Sequence, residues 1–275
     1  MAKTNMTATR VAAQTEGLVR AQVLRSARFG HSFQRVTLAG GNLEGFVPLG
    51  YDQWFRLFLP SPAGSLERVP AKLDTLAYLK YLALPKGVRP MLRNYTVAAF
   101  RPGGPVGPEL DIDFVIHASP DGAMGPAARW ALDAAQGDKV AFIDEGLGFN
   151  APAGLERVVI LADESGLPAA AGVLASLPRT ATGTALLEIP DERDAREINA
   201  PSGVDVRWLV RGDSAVPGRL GLEELKGEPI GTEEFYAWAV GESAMATGAR
   251  RHWVAAGVPK RNVTFCGYWK ASTGH

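Results

Sequence analysis

From residue 18 to about residue 117, apolar and polar side chains alternate in short stretches broken by glycine and proline. Residues 18–27, 32–39 and 53–59 keep the two-residue period of half-buried strands. Two more strands are expected over 95–100 and 110–117, with a Gly/Pro-rich turn between them. Short strands at such spacing predict a small antiparallel barrel. Residues 60–90 form a long connection in which 73–84 has the Leu and Tyr spacing of a short helix. A connection of that length fits a functional insertion or lid, or equally a surface excursion.

The pattern changes near residue 152. Residues 157–162 are a continuous apolar run, followed by a helical stretch over 168–177 and a strand over 184–189. Further strands are expected over 204–210, 235–240 and 262–267, and a helix over 243–256. Buried strands alternating with helices predict a parallel sheet covered on both faces. The predicted fold is therefore two-domain, β followed by α/β. Residues 18–152 form an antiparallel β-barrel and residues 153–275 a parallel-sheet nucleotide-binding domain, with 151–154 as the boundary. Residues 1–17 are polar, small and aperiodic, and are expected to be a flexible arm.

Composition narrows the functional classes. The 275 residues are 46% hydrophobic, enough to bury a large core. Lys plus Arg equals Asp plus Glu at 29 each, so no global field attracts nucleic acid or a membrane surface. An anionic ligand must be held by a local cluster. A single cysteine, Cys266, excludes an internal disulfide or a thiolate cluster and makes a reducing cytoplasm the expected location. No apolar run approaches bilayer length, and no signal-peptide core is expected at the amino terminus. His31, His117, His252 and His275 have no ligand spacing, so no metal site is expected.

Two segments carry chemistry. In Arg93-Asn94-Tyr95-Thr96 a strand would place Arg93 and Tyr95 on one face, with Asn94 and Thr96 on the other. A guanidinium pairs with a pyrophosphate, a Tyr ring stacks on a flavin, and a Thr hydroxyl reaches its edge. A surface Arg beside a half-buried Tyr is the plainer account of those residues. Gly125-Pro126 opens a run of helix formers, 127–135, and presents free backbone N–H groups that attract phosphate. A short helix with Pro in its first turn would look the same.

Taken in order, these segments resemble the siderophore-interacting proteins, FAD-binding ferric-siderophore reductases of the ferredoxin-NADP reductase superfamily. The resemblance is carried by Arg93-Asn94-Tyr95-Thr96-Val97, Asp113-Phe114-Val115-Ile116-His117, and Gly125 to Ala131 with Gly137-Asp138. It continues in 161–169 (Leu-Ala-Asp-Glu-Ser-Gly-Leu-Pro-Ala), 237–243 (Ala-Trp-Ala-Val-Gly-Glu-Ser), Arg250-Arg251 and Gly267-Tyr268-Trp269-Lys270. It implies an amino-terminal FAD domain and a carboxy-terminal NAD(P) domain, with the flavin in the cleft between them. Arg93 would meet the FAD pyrophosphate, Tyr95 cover a ring face, Thr96 and Val97 lie near the flavin edge, and His117 lie close by. Gly125, Ala127 and Ala128 would offer N–H groups to phosphate. Asp163 and Glu164 would belong to the cofactor-binding residues, Gly241 and Glu242 would line the nicotinamide side, and Trp269 would approach the opposite side of the flavin. Three departures stand out: Ala98-Ala99 where the family usually has Arg, Ala128 where Ser is common, and no Gly before the Asp163-Glu164 pair.

The implied activity is a flavin-dependent oxidoreductase that moves electrons from NAD(P)H through FAD to Fe(III) in a siderophore and releases Fe(II). Lys72, Arg129, Arg250 and Arg251, with Arg89, are the cations expected to hold an anionic ferric siderophore. For the donor, Asp191 and Glu192 favour a free ribose hydroxyl, whereas Arg193 or Arg211 suits a 2′-phosphate, so NADH and NADPH both stay open. Two other readings remain. One is a flavin protein fed by ferredoxin; the other is a noncatalytic siderophore-binding module.

Overall fold

Val19, Ala21 and Val23 of the first strand, β1 (Leu18–Phe29), are buried, while Arg20 and Gln22 between them are exposed. Six more strands join it: β2 (Phe33–Ala39), β3 (Trp54–Leu59), β4 (Met91–Thr96), β5 (Ala99–Arg101), β6 (Glu109–Val115) and β7 (Lys139–Gly146). They form one antiparallel sheet in the order β4-β3-β7-β1-β2-β6-β5. The computed structural model describes residues 4–61, 64, 66–85, 87–116, 124–212 and 216–271.

The expected barrel is an open ladder, because among the described residues no strand pairing joins β4 to β5. The stretch expected as one strand over 95–100 is instead two strands at opposite edges of the sheet. Only Val97 and Ala98 link them. Val97 N–H donates to Gln53 O at 2.8 Å, and Ala98 N–H to Asp111 O at 2.9 Å. Three Cα–Cα steps span at most about 11 Å, so the sheet is rolled until its edges nearly meet. Inside the roll lie Val19, Val36, Leu38, Phe55, Leu57, Ile112, Phe114 and Phe142, with Ala127 and Ala131 from a helix.

Two helices belong to this unit. The expected helix in the 60–90 connection is α2 (Thr75–Leu82); the Asp74 side chain accepts from Ala77 N–H at 2.8 Å and caps it. The helix α3 (Pro126–Asp133) begins at Gly125 with Pro in its first turn.

The second unit is built on the parallel sheet. Its strands are β8 (Arg157–Ala162), β9 (Thr182–Ile189), β10 (Gly203–Val210), β11 (Tyr236–Glu242) and β12 (Val263–Trp269), in the order β10-β9-β8-β11-β12. Its helices are α4 (Leu167–Ser176), α5 (Arg219–Gly227) and α6 (Ser243–Ala255). The chain builds outward from β8 through β9 to β10, then crosses to the other side of β8. The order therefore reverses between β8 and β11. In such sheets the crevice at the carboxyl ends of the two strands flanking the reversal is where ligands bind.

Residues 4–11 of the expected arm are held in place by the second unit. Contacts divide the chain into Ala12–Leu49 with Gln53–Gly146, and Met1–Val11 with Gly50–Asp52 and Leu147–His275. Residues 4–11 include the helical turn α1 (Met6–Thr9) and attach by pairing: Thr4 bridges Cys266 and Val11 bridges Leu147. Asn5 donates to Val263 O at 2.6 Å and accepts from Phe265 N–H at 2.9 Å. Asp52 ties the 50–52 excursion to the same unit, accepting from Gly148 N–H at 3.0 Å and Phe149 N–H at 2.9 Å. Burial pushes its carboxyl up to about 6. The division near residue 146 thus lies a few residues before the expected boundary. Polar side chains that bond backbone at long range are the reason aperiodic residues join a core here.

Candidate functional site

In the antiparallel unit, the β4 residues Arg93 and Tyr95 are placed as alternation requires, but their surroundings differ sharply. Arg93 is exposed, and its guanidinium donates to the neighbouring Leu92 carbonyl at 2.7 Å. Tyr95 packs its ring 4.3 Å from that of Phe114 on β6, and burial pushes its phenol pKa up. Phe114 in turn lies 5.7 Å from Trp130 of α3. One buried aromatic therefore ties the strand carrying Arg93 to the helix carrying Ala127 and Ala128. Phe114 belongs to the matching segment 113–117, but nothing in its sequence context marks it as the joint. Thr96 is buried at the end of β4, and Val97 follows at the crossing between the two sheet edges.

The start of α3 fits an anion. Among the described residues no side chain caps it, and a Cβ on Gly125 would meet no heavy atom within 4 Å. Gly125 has φ −57, so the space, not backbone strain, distinguishes the position. With an exposed guanidinium on β4, uncapped N–H groups on α3 and a phenol face on the same core, these residues fit a phosphate-bearing flavin nucleotide. His117 lies outside the described residues. Arg129 is exposed on α3, and Lys72 is exposed ahead of α2. Arg89 lies over the Tyr81 ring at 5.7 Å and donates to Leu82 O.

In the parallel unit, Asp163 and Glu242 meet at the reversal between β8 and β11, with Trp269 beside them at the end of β12. Asp163 Oδ2 accepts from Glu242 N–H at 2.7 Å and from Trp269 Nε1–H at 3.1 Å. Gly241 has φ +135, and a Cβ there would lie 2.4 Å from Asp163 Oδ1, so only glycine fits beside this carboxylate. The Glu242 carboxylate caps α6, accepting from Ala244 N–H at 2.5 Å and Met245 N–H at 3.1 Å. The Ser243 hydroxyl, next in the chain, donates to Trp269 O at 2.6 Å.

The structure corrects two expected nucleotide contacts. Glu164 is fully buried and takes a two-pronged bond from Arg211, at 2.6 and 2.7 Å, whose side chain is 4% exposed. Arg211 also reaches Glu188 at 3.3 Å. Neither Glu164 nor Arg211 presents a polar atom to a ligand, so Arg211 is no reader of a ribose phosphate. A buried carboxylate needs a compensating cation, and that need accounts for both residues. Arg250 lies over the Phe265 ring at 5.4 Å. Arg251 beside it is exposed, and both lie about 10 Å along α6 from its start. Arg193 is 63% exposed and paired with Asp191 at 2.7 Å, just after β9.

An antiparallel sheet followed by this parallel α/β unit is the ferredoxin reductase fold; ferredoxin-NADP+ reductase of Plasmodium falciparum superposes with TM-score 0.61 at 10% identity, over 90% of this chain and 94% of that one. Two family models divide the sequence, a siderophore-interacting FAD-binding domain over residues 22–147 and a siderophore-interacting protein domain over 155–272. The chain belongs to the siderophore-interacting protein family. The NADPH-dependent ferric-chelate reductase of Escherichia coli is 29% identical over 252 residues, covering 90% of this chain and 91% of that protein. Ferric vibriobactin reductase of Vibrio cholerae is 29% identical over 220 residues, covering 79% and 76%. A siderophore utilization protein from T. fusca superposes with TM-score 0.73 at 26% identity, over 100% of this chain and 98% of that one. No helix among the described residues is long and apolar enough to cross a membrane.

Proposed function

We propose that this protein is an FAD-dependent ferric-siderophore reductase that takes electrons from NADPH and releases iron as Fe(II). The observation that carries the reading is the joining of Arg93 and Tyr95 to the uncapped start of α3 through Phe114, inside the segment matching a siderophore-interacting FAD-binding domain. Bound FAD would supply the change from two-electron to one-electron chemistry, accepting hydride from the nicotinamide and passing electrons singly to Fe(III). Arg93 would neutralise pyrophosphate charge, and the N–H groups of Ala127 and Ala128 would direct their dipoles at the same anion. Tyr95, held against Phe114, would keep one ring face dry. Hard oxygen ligands hold Fe(II) far less tightly than Fe(III), so reduction frees the metal and the iron is substrate rather than a resident ion.

NADPH rests on two supports. The Escherichia coli relative is named for it, and exposed Arg193 follows β9, where the adenosine ribose is read. The test is steady-state reduction of a ferric hydroxamate with a ferrous trap, driven in turn by NADPH, NADH and reduced ferredoxin. The expected result is kcat/KM for NADPH at least about 10-fold above NADH, the discrimination of one charged pairing, with no turnover from ferredoxin. Turnover from ferredoxin alone would overturn the donor assignment and make ferredoxin the partner.

A further inference from the structure

The helix α2 (Thr75–Leu82) reverses the ordinary pattern of a surface helix. Tyr81 is its one buried side chain. The Tyr81 hydroxyl donates to Pro90 O at 2.6 Å, and its ring meets that of Phe58 on β3 edge-on at 5.8 Å. Leu73 and Leu84, just outside the helix, pack on the same cluster with Leu66, Val69 and Ile143. These residues anchor the insertion, and none of the leucines within the helix belongs to that cluster.

Those leucines face water instead. Leu76, Leu79 and Leu82 recur every third residue along one side and are 62%, 57% and 42% exposed. Among the described residues eight large apolar side chains are exposed, and α2 holds four of them, Tyr78 being the fourth. Single exposed leucines are ordinary, but a row of them on one face marks a contact surface. The row is bordered by positive charge. Lys80, one turn on from Leu76, is exposed, and so are Lys72 and Arg68 ahead of the helix. An open groove of about 370 Å³ beside α2 is lined by Leu76, Tyr81 and Leu84 together with Arg68, Lys80 and Asp74. Residues 60–90 hold five Lys or Arg against two Asp or Glu, net +3, in a chain whose net charge is 0.

We propose that α2 docks the protein on an anionic lipid surface, lying along the headgroups with Leu76, Leu79 and Leu82 toward the acyl chains and the lysines against lipid phosphate. The helix is about 12 Å long, too short to span a bilayer, but an apolar face edged with cations is what an interfacial helix needs. Apolar burial and attraction to anionic headgroups then add. A second copy of this chain fits worse on two counts. A face about 12 Å by 10 Å falls well short of the roughly 800 Å² a side of a standard interface, and pairing two copies would bring like charges together. Docking of this kind sets where the protein sits and is independent of the reductase reading.

The test is co-sedimentation of the full chain with vesicles of phosphatidylcholine alone and of phosphatidylcholine with phosphatidylglycerol at about 2:1, in about 0.1 M salt. Wild type should bind the anionic vesicles at least about 10-fold more tightly than the neutral ones, and raising the salt to about 0.5 M should weaken that binding. L76S/L79S should lose at least about 10-fold in affinity and K80E about 5-fold, because the first removes apolar burial and the second reverses a charge. Each altered side chain is exposed, so the unfolding temperature should stay at the wild-type value. If L76S/L79S does not fold, K80E and the wild type on the two lipids decide. No vesicle binding by the wild type, equal binding to both lipids, or binding that the variants leave unchanged overturns the proposal. Dimers in sedimentation velocity that vanish in L76S/L79S, without vesicle binding, would overturn it too and assign the face to a second copy.

Discussion

Arg93→Ala should yield a protein that folds but is purified nearly without flavin. Arg93 is exposed and its guanidinium donates to the adjacent Leu92 carbonyl, so truncation removes little that holds β4 in the sheet. Against a bound pyrophosphate the same side chain contributes a charge-assisted bond of about 2 kcal/mol, so FAD should bind roughly 30-fold more weakly. Thermal unfolding of the apoprotein should stay within about 2 °C of wild type, as for surface changes away from the core. Gly125→Val should act in the same way, since φ −57 suits any residue and, among the described residues, a Cβ there meets no heavy atom within 4 Å. Flavin fluorescence titration measures both. Unchanged FAD affinity in the two variants would place the phosphate elsewhere.

Arg211→Met should produce the largest loss of stability. It strips the cation from Glu164 and Glu188, whose side chains are both 0% exposed. Leaving buried carboxylates unpaired costs about 3–5 kcal/mol. Glu188 softens the effect, because Gly218 N–H at 2.5 Å and Gly221 N–H at 2.7 Å also donate to it. Adding Glu164→Gln should recover part of the loss, since one unpaired charge is then gone. Urea unfolding of the wild type, the single and the double variant reads this directly. A loss below about 1 kcal/mol for Arg211→Met would mean that water reaches the pair and that it is no structural element.

These two residues show what the sequence could and could not reveal. The strand carrying Arg93 was legible because a cation, an aromatic and a hydroxyl alternate along it, and the strand formed. Arg211 is one of two candidate cations for a 2′-phosphate on sequence alone, because a cation after a strand looks the same whether it faces a ligand or a carboxylate 47 residues away. The β8–α4–β9 run was legible from continuous hydrophobicity, and β8 has the expected bounds. The helix α5 was missed because Gly221 interrupts it. A Cβ there would lie 2.9 Å from Leu161 Cδ1, so packing demands the residue that propensity argues against. The split between β4 and β5 was likewise hidden, since Val97 and Ala98 look like strand residues and only the rolled sheet sends the chain to its other edge. In Asp163 the residue type was noticed, but its partners come from three strand ends that only the sheet order brings together.

The central claim is that NADPH and Fe(III) exchange electrons through FAD held by this chain. The direct measurement is an anaerobic absorbance spectrum of the FAD-loaded protein, taken after NADPH and again after a ferric hydroxamate with a ferrous trap. The expected record is loss of the flavin bands with NADPH and their return with iron, as the ferrous complex forms. A protein that cannot be loaded with FAD, or whose flavin bands ignore both reagents, would contradict the reductase and leave a module that only binds the siderophore.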